Sequence, residues 1–142
     1  MDGALYGQYQ HNIDAKGRVF MPSKFRDVLG DVFYVMPGIE MCLNVYSKET
    51  WQTMQEKINA IPLSKRGDLR VFMANINECV PDKQGRILLS GKLREYASLE
   101  QDAVIIGQGD HVEIWPSEPY STEEKENLSP AYIKHSLDVL GI

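Results

Sequence analysis

Two sets of basic side chains recur in this chain with one spacing. Asp14-Ala15-Lys16-Gly17-Arg18 runs on into Val19-Phe20-Met21-Pro22-Ser23-Lys24-Phe25-Arg26. Sixty-eight residues later Asp82-Lys83-Gln84-Gly85-Arg86 runs on into Ile87-Leu88-Leu89-Ser90-Gly91-Lys92-Leu93-Arg94. Asp, Gly, Arg, Lys and Arg are identical between them, and Val19/Ile87, Phe20/Leu88, Met21/Leu89 and Phe25/Leu93 stay apolar. A match in both charge and apolar pattern reads as an internal duplication. Lysine and arginine are donors with fixed positive charge, so the chemistry on offer is recognition of an anionic partner.

The elements that position these groups follow from local chemistry. Asp accepts hydrogen bonds from the backbone two residues on, and Gly supplies a positive φ. Asp-x-x-Gly therefore predicts a type I turn closed by a Gly bulge, with Asp14, Gly17, Asp82 and Gly85 as its makers. The Arg after each Gly begins the outgoing strand, close to a hairpin tip. The bland alternative is an Asp–Arg pair across the turn, a surface contact of ~0–1 kcal/mol. The doubling of the motif counts against it.

The net charge of −5 argues at first against a nucleic-acid partner. Its distribution argues the other way. Residues 14–26 and 82–94 each carry +3, which leaves −11 on the rest of the chain. Local asymmetry of this kind matters more to an anionic partner than the total does. From Glu95 onward ten acidic residues face only Lys125 and Lys134, and Glu123, Glu124 and Glu126 read as a solvated helix face.

The 142 residues suit one domain or two small intertwined halves. No apolar run approaches the ~20 residues of a membrane span. Met1-Asp2-Gly3-Ala4 shows no basic segment followed by an apolar one, so no signal peptide is expected. Cys42 and Cys79 stand alone and read as free thiols of a cytosolic protein.

Leu5 to Ile13 alternates as a strand entering the first turn, with Leu5, Tyr9 and Ile13 on one face and His11 a packed edge residue. Arg18 to Met21 is the expected return strand of that hairpin. A short helix from Lys24 to Leu29 ends at Gly30, and strands follow at Phe33–Met36 and Leu43–Tyr46. The second copy repeats the order, with a helix from Gly91 to Tyr96 capped by Ser90, then strands at Ala103–Ile106 and Val112–Trp115. Helices are expected from Ser47 with the stripe Trp51, Met54, Ile58, at Lys65–Met73, at Pro119–Asn127 and at Ala131–Leu140 behind Ser129-Pro130. The tryptophan stripe and Leu137, Val139 and Leu140 read as core or subunit contacts.

Nothing has the pattern of a catalytic site. His11, His111 and His135 form no His-Glu-x-x-His pair, and no Gly-x-Ser-x-Gly elbow occurs. Gly107-Gln108-Gly109 follows a strand but opens no helix, so it reads as a loop. Asp14 and Asp82 have turn-making roles and no accompanying nucleophile. No metal, cofactor or small-molecule substrate is expected.

The chain resembles the MraZ family of bacterial transcription regulators. Tyr6-Gly7, Ile13-Asp14-Ala15-Lys16-Gly17-Arg18 and Pro22-Ser23-Lys24-Phe25-Arg26 carry the likeness in the first half. Asp82-Lys83-Gln84-Gly85-Arg86-Ile87-Leu88, Leu93-Arg94, Gly107-Gln108 and Glu113-Ile114-Trp115 carry it in the second. The resemblance implies a swapped-hairpin barrel of the AbrB type with both halves in one chain. It implies ring-like homo-oligomers on direct repeats upstream of the division and cell-wall gene cluster, and it carries DNA contacts over to Arg18 and Arg86 with Lys16 nearby. Ser90 replaces Pro22, Pro81 replaces Ile13, and Lys16 aligns with Gln84, so the two tips are not identical.

The expectation is thus an α+β chain, a duplicated swapped-hairpin β-barrel with flanking helices. Residues 1–73 form the first repeat and 74–142 the second, intertwined as one domain. Arg18 and Arg86 read bases of double-stranded DNA in the major groove, and Lys16, Lys83, Lys24 and Lys92 contact phosphates. The protein is expected in the cytoplasm, associated with the nucleoid. The competing expectation is an oligomeric protein-binding scaffold or antitoxin-like module working through the acidic C-terminal helices.

Overall fold

The computed structural model describes residues 4–142, so the amino-terminal Met1-Asp2-Gly3 lies outside it. Alternation of Tyr9 and His11 with the exposed Gln8, Gln10 and Asn12 makes strand β1 (Gln8–Asn12). After the Asp14 turn comes β2 (Arg18–Phe20), with Val19 buried. Helix α1 (Ser23–Leu29) buries Phe25 and Leu29 and stops at Gly30. Strands β3 (Phe33–Pro37) and β4 (Leu43–Ser47) form an antiparallel pair, Val35 opposite Val45.

Ser47 Oγ accepts from Thr50 N–H and starts α2 (Lys48–Asn59). The helix expected over Lys65–Met73 is broken instead. It runs as α3 (Leu63–Arg66), a 3₁₀ turn (Gly67–Leu69) and α4 (Arg70–Ala74). Gly67-Asp68 lies at the break, where glycine's backbone freedom and aspartate's competing hydrogen bonds disfavour α-helix.

The second half supplies β5 (Asn77–Cys79), β6 (Arg86–Leu88) and α5 (Gly91–Tyr96), the last capped by Ser90 Oγ on Leu93 N–H. Strands β7 (Asp102–Gly107) and β8 (Val112–Pro116) follow, then α6 (Ser117–Asn127) and α7 (Pro130–Val139).

The architecture is mixed α+β with two antiparallel sheets. Six strands lie in the order β1-β7-β8-β4-β3-β5, and β2 pairs with β6 in a separate ribbon. The expected closed barrel does not form. Closure needs the two edges to pair, but β1 and β5 lie at opposite ends of the open sheet. The expected pairing of the strands on either side of each turn is also corrected. β1 pairs with β7, Gln10 opposite Val104, and β5 with β3, Glu78 opposite Tyr34. β2 instead meets β6, Val19 opposite Ile87. Crossing over lets both valine-like side chains enter the common core, where each is about 1% exposed.

That core joins Phe25, Leu29, Leu93 and Ala97 from α1, α5 and the residue after α5 with Val35, Val45, Ile105 and Ile114 of the sheet. The stripe Trp51, Met54 and Ile58 packs on Tyr34, Met36 and Phe72 as a second cluster, with Trp51 buried and Met54 and Ile58 partly buried. Tyr34 and Trp51 stack at 5.5 Å. His11 is half-buried and 5.7 Å from Phe20, an edge residue as expected. Gly107-Gln108-Gly109 ends β7 and enters the β7–β8 loop. A Cβ on Gly107 would meet Tyr6 N at 2.3 Å, so only glycine fits there.

Candidate nucleic-acid interface

The two Asp-x-x-Gly turns share one geometry. Gly17 N–H donates to Asp14 C=O at 2.9 Å, and Gly85 N–H to Asp82 C=O at 2.9 Å. Asp14 Oδ1 accepts from Lys16 and Arg18 N–H at 3.0 and 2.9 Å, and Asp82 Oδ1 from Gln84 and Arg86 N–H at 2.9 and 3.0 Å. The turn glycines have φ of +87° and +83°, where an L side chain is strained. Hydrogen bonds from the backbone N–H of the arginine four residues on, foremost, hold both carboxyls below the usual range; the guanidinium adds to this.

Each aspartate also fixes its arginine. Arg18 Nε donates to Asp14 Oδ2 at 2.7 Å, and Arg86 Nε to Asp82 Oδ2 at 2.9 Å. The pairing expected as the bland alternative therefore exists, but it uses only Nε of each fork. The two turns are also neighbours, since Arg86 Nη1 lies 3.8 Å from Asp14 Oδ2. Lys16 and Lys83 are exposed at the turns.

The other two lysines are engaged differently. Lys24 Nζ sits 3.8 Å from the centroid of the Tyr6 ring, a cation–π contact. Lys92 lines a groove of about 400 Å³ with Pro37, Val71, Phe72, Leu93 and Tyr96. Lys24 and Lys92 correspond in sequence, yet their surroundings are not equivalent.

Sequence reasoning missed a second pair of arginines. Arg26 Nε donates to Met21 C=O at 2.9 Å and Arg94 Nε to Leu89 C=O at 3.1 Å. Their guanidinium groups do not stay with their own copies. Arg94 covers Gly17 and Arg26 covers Gly85, each within 2.8–3.0 Å of where a Cβ would stand. Both glycines are buried as a result. The signal in the sequence was the identity of Arg26 and Arg94 at constant offset; their destination was not visible there.

Among the described residues no group of three His, Cys, Asp or Glu is arranged to hold a metal ion, and no helix is long and apolar enough to cross a membrane. The arrangement offers oriented cations at two neighbouring turns.

Comparison with known proteins bears on what such a surface serves. The family described as "MraZ protein, putative antitoxin-like" matches residues 4–70 and again 72–135. A protein of Heliobacterium modesticaldum named transcriptional regulator MraZ is 47% identical over 129 residues, 89% of this chain and 90% of its own length. Proteins with that name from Acetivibrio thermocellus and Thermoanaerobacter pseudethanolicus are 45% and 46% identical, each across 97% of this chain and 99% of its own. The name these relatives share is that of a regulator and not of an enzyme. With both halves matched and near-complete coverage by relatives, the chain belongs to the MraZ family.

Proposed function

We propose that this chain is a transcriptional regulator that binds double-stranded DNA sequence-specifically through the Asp14–Arg18 and Asp82–Arg86 turns. The observation that carries the reading is the adjacency of the two turns, with Arg86 Nη1 3.8 Å from Asp14 Oδ2. Arg18 is held by Nε and keeps both outer nitrogens for a bidentate contact, which is how arginine reads guanine in the major groove; Arg86, held by Nε and with Nη1 near Asp14, keeps Nη2. Lys16 and Lys83 beside them suit phosphates that set register. Lys24 and Lys92, farther along each copy, would add backbone contacts of the same kind.

In this reading the chain is two repeats, 1–73 and 74–142, intertwined as swapped hairpins. The exchange of strand partners between β1, β2, β5, β6 and β7 supports it. Copies assemble into a ring-like homo-oligomer that spans direct repeats of a promoter, upstream of the division and cell-wall genes, on the nucleoid in the cytoplasm. The exposed face of α7 supports assembly. Ile133, Leu137 and Leu140 recur at helical spacing and are 41–71% exposed, and α7 buries no residue of its own. Avidity across linked copies adds ~10²–10⁴ to a weak single contact.

The same apolar face favours a second reading, a protein-binding scaffold without DNA. Selection of bound duplexes from a random pool, followed by titration at two salt concentrations, separates the two. Enriched repeats bound with steep salt dependence support the regulator. A chain that enriches no sequence and holds no duplex at low salt is a scaffold.

A further inference from the structure

Each turn glycine is gripped by the opposite copy at two points. Leu89 N–H donates to Gly17 C=O at 3.0 Å, and the Arg94 guanidinium covers Gly17. Met21 N–H donates to Gly85 C=O at 2.9 Å, and the Arg26 guanidinium covers Gly85. The carbonyls of Leu89 and Met21 accept from Arg94 and Arg26 Nε, which closes each circuit. Among the described residues the Nη nitrogens of Arg26 and Arg94 have no hydrogen-bond partner, and both side chains are half-exposed. Nε, Cζ and Nη2 of each guanidinium lie 2.8–3.0 Å from the position of a Cβ on the glycine, as a plane laid on it would. The Nη donors suit the paired oxygens of a phosphodiester.

We propose that Arg94 and Arg26 are phosphate-binding residues of the turns they cover, not of the copies that carry them. Each DNA-contacting unit is therefore composite. Lys16 and Arg18 work with Arg94 at one turn, and Lys83 and Arg86 with Arg26 at the other. The proposal rests on the DNA reading above. It assigns a shared duty across the two copies, and it explains a glycine beneath each guanidinium apart from the need for positive φ.

The test uses the full chain and a duplex that the wild-type protein has selected from a random pool. Affinity is measured from low to high KCl for wild type, Arg26→Gln/Arg94→Gln and Arg18→Ala/Arg86→Ala. Glutamine keeps a planar amide that reaches about as far as Nε, which bonds Met21 or Leu89 C=O, but removes the charge and the Nη donors. The double glutamine variant should lose about 1.8 from the log–log salt slope for each protomer engaged, at ~0.9 per phosphate, and bind about 10- to 100-fold more weakly near 0.1 M salt. A role confined to holding the turns would lower affinity and leave that slope unchanged.

Double-variant cycles then locate each arginine. Losses from Arg18→Ala and Arg94→Gln should depart from multiplicity by about threefold or more, as for groups sharing one contact site. Losses from Arg18→Ala and Arg26→Gln should multiply. Circular dichroism checks that each variant is folded; if the double glutamine variant is not, Arg94→Gln alone carries the test with half the slope change. An unchanged slope in a folded variant, with binding lost in Arg18→Ala/Arg86→Ala, overturns the proposal and leaves the DNA reading standing. So does stronger coupling of Arg18 to Arg26 than to Arg94. A wild-type chain that selects no duplex overturns both.

Discussion

Replacing Gly17 by alanine probes the crossed grip without reference to any ligand. Two costs add. The first is a side chain at φ +87°, about 1–2 kcal/mol for the left-handed region. The second is displacement of Arg94, because the new Cβ would lie 2.8 Å from Nε and 2.9 Å from Cζ. Moving the guanidinium breaks its hydrogen bond to Leu89 C=O, about 0.5–1.5 kcal/mol. Gly17→Ala should therefore cost about 1.5–3.5 kcal/mol in total. Gly109→Ala is the control: its φ is +85° and a Cβ there meets nothing within 4 Å, so only the first cost applies. Urea denaturation gives the free energies, and each kcal/mol should also lower Tm by about 2–4 °C. Equal losses in the two variants would refute the claim that Arg94 is packed on Gly17 in solution.

Other expectations test separate parts of the molecule. Burial pushes the thiols of Cys42 and Cys79 up to about 11, so both should resist a disulfide reagent at pH 8 until the chain is unfolded. Rapid reaction of the native protein would contradict their burial. Hydrogen bonds that the His111 ring donates to the carboxylates of Glu113, then Asp110, raise its pKa above the ordinary 6.5 despite burial. That stabilisation is complete below about 6.5 and lost as pH rises through the folded value, so Tm should fall from about pH 6.5 upward and His111→Gln should flatten the profile. A wild-type Tm independent of pH over that span would remove the histidine's role. Leu93, about 1% exposed, should cost about 2–5 kcal/mol on replacement by alanine, whereas Leu140→Ala on the exposed face of α7 should stay within about 0.5 kcal/mol for a single copy. In the proposed assembly Leu140→Ala should also cost stability in a way that grows with protein concentration; a loss independent of concentration would count against Leu140 as a contact between copies.

The sequence revealed local features well and partners poorly. Asp-x-x-Gly specifies its turn through bonds within five residues, and Ser47, Ser90 and Ser129 announce helix starts that the backbone N–H groups use. Strands β2, β5 and β6 have three residues each, too few for alternation to name a neighbour. The hairpin reading therefore placed β1 against β2, although each finds its partner in the other half of the chain. Pro81 did hint at the difference between the halves. Ile13 N–H donates to Gln101 C=O at 2.7 Å, a bond the proline that aligns with it cannot make. At the candidate site, Arg18 and Arg86 were legible because they belong to the turn motif. Arg26 and Arg94 were not, because a helix position says nothing of which distant glycine its side chain will cover.

The exchange of strands has a consequence in time. As the chain leaves the ribosome, β1 and β2 emerge early, but their partners are β7 and β6. Gln10 must wait for Val104, and Val19 for Ile87. Until then the first half holds, among the described residues, the one strand pair β3–β4 and leaves apolar side chains such as Val19 and Phe25 without their full packing. Distant pairings of this kind are entropically costly to close and are made slowly. Nascent chains emerging side by side would present each other with the same unpaired strands, so exchange between molecules competes with exchange within one.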